Sequence, residues 1–538
     1  MPAAPNSERP PEAGRSTWTV ADGWLRQVAV LAGLAALVSA AAGIGGLPRW
    51  PGLAHLVALP PLDLTADLRV LVAEATGYPS LLLGMAASLA IRSAVLAVLL
   101  GGLSRGRFLF ALRFYLAVLP ITLLAALFSY AGHAGLYSGL HWIGMGLALL
   151  ALLVMAPAPW TGHPCLGVAL RQSWRDGLRV WPVLAYAGAL VVLGGVAFAP
   201  GPVIWVVAVP ASAALTFAAL RWLSRPAGGR PKLRLAAAVG ALAAGAVAFV
   251  SAAEPGPDEA GTTREGSLMA MSGMNSTSGG GAALEVDYPR VFGFACEQVY
   301  YFSYAGPGQG QPQDQAVCPI RTGAPYTEED TRRRPFAQHV GFLAAQVDDL
   351  PEPVTLLAHS QGAWVAWQAA AEGRLEGVDT LVVIGPFPDS ALGWPPPGEP
   401  GAGRVGADFI AALQPLTRLV DFEFHPYEQI AREILEDPSV PREIYSQPLP
   451  TDLEVLSVFG LGDLALNPAG WHLDGATDAC PVIADHPDLP LAGGVQRQIN
   501  AFLDGQELAP CPRWRELVHP VSMPWKPPPA EAAAAYDR

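Results

Sequence analysis

The sequence predicts two halves of different class: an N-terminal all-α transmembrane bundle of about seven helices, then a C-terminal α/β domain with a mostly parallel sheet and helices on both faces. Three observations carry this. Only 15% of the 538 residues are charged and the mean hydropathy is +0.32, too apolar for an ordinary water-soluble chain. The charge is split, because residues 1–253 hold 17 Lys+Arg against 7 Asp+Glu and residues 254–538 hold 16 against 39. The hydrophobic pattern also changes, from long unbroken apolar runs to short apolar runs alternating with amphipathic helical stretches.

Seven stretches reach the roughly 20 apolar residues that a span requires: about 27–47, 80–103, 108–131, 136–157, 181–199, 202–223 and 233–252. With the N-terminus in the cytoplasm, that side collects Arg9, Arg15, Arg26, Arg105, Arg107, Arg113 and the basic residues of 171–179 and 221–234. The outer loops keep only Arg49 and Arg69, the asymmetry that sets orientation. An odd number of crossings puts the acidic half outside. A cleaved signal peptide near Ser39-Ala-Ala41 is the alternative for the first run, which is long for such a segment. Arg92 falls inside the second run, where a charge needs a partner; backbone carbonyls, lipid phosphate, Asp63, Asp67 and Glu74 are the available groups, and a snorkelling arginine is the simplest expectation. Thr65 reads as the cap of a short amphipathic helix between the first two spans. With so few other polar groups in the runs, the bundle reads as an anchor more than a transporter.

Residues 253–266 form a Pro/Gly/acidic linker, so the domain at 267–510 sits close to the bilayer. Four of five cysteines lie in the acidic half: Cys296, Cys318, Cys480 and Cys511. An even set suits an oxidising compartment. Three pairings are open, of which 296 with 318 and 480 with 511 close the shortest loops. A net-acidic domain without a basic stripe excludes nucleic acid as a partner.

The sharpest local pattern is Val354-Thr-Leu-Leu-Ala-His-Ser-Gln-Gly362, an apolar strand entering a small-residue turn and then a helix. Such a turn lifts Ser360 above the sheet as a nucleophile, with small residues required two positions to either side; these are Ala358 and Gly362. A serine nucleophile needs a base and the base an orienting carboxylate. Leu453-Glu-Val-Leu-Ser-Val-Phe-Gly-Leu-Gly-Asp463 is a strand ending in a Gly-flanked turn, which delivers Asp463. Pro481-Val-Ile-Ala-Asp-His-Pro-Asp-Leu489 is a shorter strand and loop bearing His486. The competing histidines are His472, which follows Asp463 by nine residues with no intervening strand, His359, which points elsewhere from the turn, His339, which is on a helix, and His425; of the carboxylates Asp463, Asp485 and Asp474, Asp463 alone ends a strand. Oxyanion donors are expected from the amide of Gln361, after the serine, and from Met274 in the turn of Ser267-Leu-Met-Ala-Met-Ser-Gly-Met-Asn-Ser276.

In combination these motifs resemble the α/β-hydrolase superfamily, especially its lipase and esterase branch, over about residues 267–505. Gln298-Val-Tyr-Tyr-Phe-Ser-Tyr-Ala-Gly306 resembles the family's strand before the first paired helix and 327–350 the helix preceding the serine turn; Ala358 departs from its usual Gly. The resemblance implies acyl transfer through a covalent acyl-serine, with no metal or cofactor, and a cap inserted at about 386–450. The function expected is a membrane-anchored serine hydrolase cleaving lipid-derived or other hydrophobic esters at the outer face of the plasma membrane. An acyltransferase with the same triad, or a non-catalytic scaffold, are the alternatives. A Pro/Ala-rich tail is expected over 511–538.

Overall fold

The computed structural model describes residues 23–47, 50–196, 204–225, 263–388, 392–417, 423–464, 466 and 472–515. In the first half the helices are α1 (Trp24–Gly43), α2 (Leu62–Glu74), α3 (Tyr78–Leu99), α4 (Arg105–Ala134), α5 (Ser138–Met155), α6 (Leu166–Arg175), α7 (Val180–Val196) and α8 (Val209–Leu223). Among the described residues six segments are long and apolar enough to cross a membrane: Trp24–Gly43, Tyr78–Leu99, Arg105–Ala134, Ser138–Thr161, Gly177–Gly195 and Val206–Leu223. These correspond to the first six predicted spans; the seventh, 233–252, lies outside the described residues. Their outward faces are apolar. Of the exposed large hydrophobic side chains described, all but Val317, Leu491 and Trp514 belong to this half, as lipid rather than water would require.

Between α1 and α3 the sequence reading needs correction. Nearly every residue from Trp50 to Ala75 is buried, because a 3-10 turn (Pro51–Val57) and α2 fold back into the bundle against α3, α4, α7 and α8. Irregular backbone is tolerated at such a position only when protein encloses it. Thr65 does not cap α2. The helix starts at Leu62, and the Thr65 hydroxyl donates to the carbonyl of Pro61 from inside the first turn. Nor does Arg92 snorkel. It is buried, its guanidinium grips Asp67 through Nε (2.8 Å) and Nη2 (2.5 Å), and Nη1 donates to Leu56 O at 2.7 Å. Asp63 stands 3.8 Å away and accepts from Tyr115 Oη at 2.6 Å. The arginine therefore fastens the folded-back segment to α3.

The second half carries β1 (Ser267–Met271), β2 (Val299–Tyr301), β3 (Val354–His359), β4 (Val378–Ile384), β5 (Glu454–Val458) and β6 (Thr477–Asp478). They form one sheet in the order β2-β1-β3-β4-β5-β6, every neighbouring pair parallel. The expected strand before His486 is reduced to a single parallel bridge, Gly460 with Val482. Both faces are covered, which explains the continuous apolar runs. Met269, Met271, Leu356, Ala358, Leu381 and Val383 join a core continuous with the bundle. The alternate residues Leu268, Ala270, Leu357, Val382 and Ile384 face a second core. Around the sheet lie α9 (Tyr288–Phe292), α10 (Glu328–Arg333), α11 (Phe336–Val347), α12 (Gln361–Ala371), α13 (Arg404–Thr417), α14 (Val440–Tyr445) and α15 (Gly493–Leu503). Disulfides join Cys296 to Cys318 and Cys480 to Cys511, with Cα–Cα distances of 5.1 and 5.0 Å; Cys165 is free.

The two halves are fastened together. Gly403 N donates to Ala73 O at 2.7 Å, and Tyr130 Oη donates to Gly403 O at 3.1 Å. At Gly406 a Cβ would stand only 2.0 Å from the Tyr130 ring, so α13 lies directly on α4, with Phe409 edge-on to Phe128. The stretch expected as a cap thus contains the piece that seats the second half on the bundle.

Candidate active site

In this strand order the chain leaves β1 towards β2 and returns to β3 on the other side of β1. The two strand ends therefore diverge, and a crevice opens between them at the carboxyl edge. β3 delivers Ser360 there and β1 delivers the turn 272–276. Ser360 has φ 58° and ψ −121°, a strained conformation for a residue with a Cβ. Its amide donates to Ile384 O at 3.0 Å, continuing the ladder, and α12 begins immediately after. A Cβ on Gly362 would lie 3.1 Å from Met271 Cβ. Ala358, fully buried between Met271 and Val383, shows that one methyl fits at the other small position.

The structure brings the three sequence-derived residues together. Ser360 Oγ lies 2.8 Å from His486 Nε2, and His486 Nδ1 lies 2.7 Å from Asp463 Oδ2. Asp463 is fully buried and His486 nearly so. A carboxylate at Nδ1 holds the imidazole proton there, so Nε2 is left to accept from the serine hydroxyl. Three glycines let these loops meet. At Gly460 and Gly462 a Cβ would come within 2.9 and 2.8 Å of Ala484 O, and at Gly385 within 2.8 Å of His486 Cε1.

The turn after β1 is pressed against the serine, since a Cβ on Gly273 would sit 2.5 Å from Ser360 Cβ. Neighbouring groups pin it. Tyr304 Oη donates to Ser272 O at 2.7 Å, Asn275 N donates to Thr331 Oγ1 at 3.1 Å, and Arg332 Nη1 donates to Asn275 Oδ1 at 2.8 Å. Gln361 opens α12, where its amide has no intrahelical acceptor and meets the positive end of the helix dipole. Gln361 directly follows Ser360, and Met274, next to Gly273, lines the same cavity. Among the described residues Ser272 Oγ has no hydrogen-bond partner; it is buried and lines the cavity. Nothing in the sequence separated that hydroxyl from an ordinary loop serine.

The competing residues have other places. His472 pairs with Asp478 at the surface (3.1 Å), His425 accepts from Tyr427 N, and Asp474 and Asp485 are exposed. His339 is buried beneath the turn, with Nε2 donating to Asp330 O at 3.1 Å. His359 has a role the sequence did not reveal. Burial pushes its pKa down to about 3, so the ring is neutral, and its Nε2–H donates to His486 O at 3.0 Å. With Phe387, 4.7 Å from the His486 ring, it fixes the loop that presents His486.

A cavity of about 250 Å3 opens on this group. Besides Ser360, His486 and the 272–276 turn, its walls include Trp364, Phe387, Phe424 and Leu435, and from the first half Gly135, Leu136 and Tyr137. Among the described residues no cluster of His, Cys, Asp or Glu is arranged to hold a metal ion. Comparison of the chain with protein-family models, with curated proteins and with solved structures gives no match in any of the three.

Proposed function

We propose that this chain is a membrane-embedded serine hydrolase of the α/β-hydrolase type, which cleaves hydrophobic carboxylic esters on the extracytoplasmic side. The observation that carries the reading is the Ser360–His486–Asp463 relay at 2.8 and 2.7 Å at the crevice of a parallel sheet. In this reading His486 Nε2 takes the Ser360 proton as Oγ attacks the ester carbonyl. Asp463 stabilises the imidazolium that forms. The amides of Gln361 and Met274 bind the oxyanion, and Ser272 Oγ is positioned to add a third donor. Collapse expels the alcohol, protonated by His486, and water then releases the acyl group by the same steps. Apolar walls around the serine support a hydrophobic acyl chain as substrate. The acidic, disulfide-bearing half, joined to a bundle whose basic residues cluster at the other connections, supports an exterior site.

The test is covalent labelling of the full-length protein by a fluorophosphonate probe. Labelling of intact cells that disappears in Ser360→Ala is the expected result. Labelling that persists in Ser360→Ala refutes the nucleophile, and labelling that requires permeabilised cells refutes the orientation.

A further inference from the structure

The cavity over Ser360 is not built by the second half alone. Gly135, Leu136 and Tyr137, which join α4 to α5, form part of its wall. Their height relative to the bilayer follows from α5. The apolar segment that α5 opens, Ser138–Thr161, has 24 residues, about 36 Å at 1.5 Å per residue, enough to cover the roughly 30 Å of hydrocarbon from its first turn. Its first turn therefore stands at the hydrocarbon boundary, and the preceding joint lies among the headgroups. Trp142 carries the same depth mark. It is one turn into the helix, the residue is 43% exposed, and Trp favours that interface. Its indole Nε1–H donates to Gly462 O at 3.1 Å, the residue before Asp463. Below it Ile143 and Leu150 face outward to lipid. The acid loop and the serine are thus held at the level where the ester carbonyls of bilayer lipids lie, between headgroup and chain. A cavity of about 250 Å3 falls under the roughly 300–1,000 Å3 of pockets that enclose a whole small ligand. It accepts a reacting ester with part of its chain while the rest stays in the membrane.

We propose that the α4–α5 joint is a sill through which acyl esters of bilayer-resident lipids reach Ser360 without leaving the membrane. The membrane half is then a specificity-determining part of the active site. This rests on the serine-hydrolase reading above.

Full-length protein reconstituted in phosphatidylcholine vesicles is assayed with a trace of an acyl-labelled diacylglycerol in the bilayer and with soluble p-nitrophenyl butyrate. Leu136 has φ 50°, a region Asp tolerates better than Leu, so Leu136→Asp places a charge on the sill while easing the backbone. Tyr137→Ala is the second variant, read if Leu136→Asp fails to label with fluorophosphonate. The expected result is a tenfold or greater fall in the ratio of bilayer-lipid to soluble-ester kcat/KM. A ratio within twofold of the unaltered protein overturns the proposal, as does an unaltered protein that turns over only the soluble ester; both leave the hydrolase reading standing. Activity on both substrates retained in Ser360→Ala removes that reading itself.

Discussion

Gly273 offers the most direct test of how the site is assembled, because its importance comes from space alone. Its backbone is not in the left-handed region, so alanine meets no torsional penalty there. The added methyl, however, would lie 2.5 Å from Ser360 Cβ and 2.9 Å from its Oγ, whereas carbon atoms rest at about 3.5–4.0 Å. The turn and the serine must separate by about 1 Å. That displacement moves the Met274 amide away from the oxyanion and Oγ away from His486 Nε2, and a misplacement of about 1 Å in a catalytic constellation costs on the order of 100-fold. We expect Gly273→Ala to lower kcat/KM for p-nitrophenyl butyrate about 100-fold, and the fluorophosphonate labelling rate comparably, with a thermal midpoint close to that of the unaltered protein. Gly362→Ala, whose methyl would meet Met271 Cβ at a less severe 3.1 Å, should lose several-fold only. A Gly273→Ala protein within threefold of full activity would show that the turn does not abut the nucleophile, and the oxyanion assignment would fall with it.

Three further outcomes follow from the same geometry. Asp463→Asn removes the charge 2.7 Å from His486 Nδ1 and favours the wrong tautomer, so kcat should drop about 10,000-fold, near 5.5 kcal/mol at 1.36 kcal/mol per decade; a loss below tenfold would point to another acid. Asp67→Asn leaves Arg92 buried without its bidentate partner, a change of about 3–5 kcal/mol. The thermal midpoint in detergent should fall by several degrees and recover in the Asp67→Leu/Arg92→Leu double variant, whereas an unchanged midpoint in Asp67→Asn contradicts the fastening role. Burial holds His359 and His339 at pKa values of about 3 and about 4, below the ordinary 6.5. As pH falls through 6.5 the unfolded chain takes up protons that the folded chain refuses, so stability is lost between about 6.5 and about 4 to 3. The thermal midpoint should drop from pH 7.5 to 5, and by less in His339→Gln; equal drops in the two proteins would remove His339 from the account.

The parts of this molecule legible in its sequence are those set by short-range chemistry. The elbow announces itself because strand, small-residue turn and helix follow within a dozen residues, and Gly-Leu-Gly-Asp463 marks a strand end in the same way. The first six spans follow from apolar length. What escaped was the outcome of contacts between distant segments. Residues 50–75 have a mixed composition suited to an interfacial helix, and only the pairing of Arg92 with Asp67 reveals that they fold inward. Nothing local to Arg404–Thr417 says that it seats on α4, since the decisive fact is a glycine at 406 beneath a tyrosine at 130. Likewise nothing local to His359, next to Ser360 in sequence, says that its ring is bonded to the backbone of His486.

The seat between Gly406 and Tyr130 has a kinetic meaning. Two hydrogen bonds and a side-chain-free contact hold the second half against the bundle, so its crevice stays at one height and one tilt. On the proposed function, a catalyst confined in this way would search a plane. Its supply of reactant would then be set by lateral diffusion and by how many molecules share the surface, and its saturation measured in mole fraction. Diluting the host bilayer with inert lipid should slow it even when every bulk concentration is held constant.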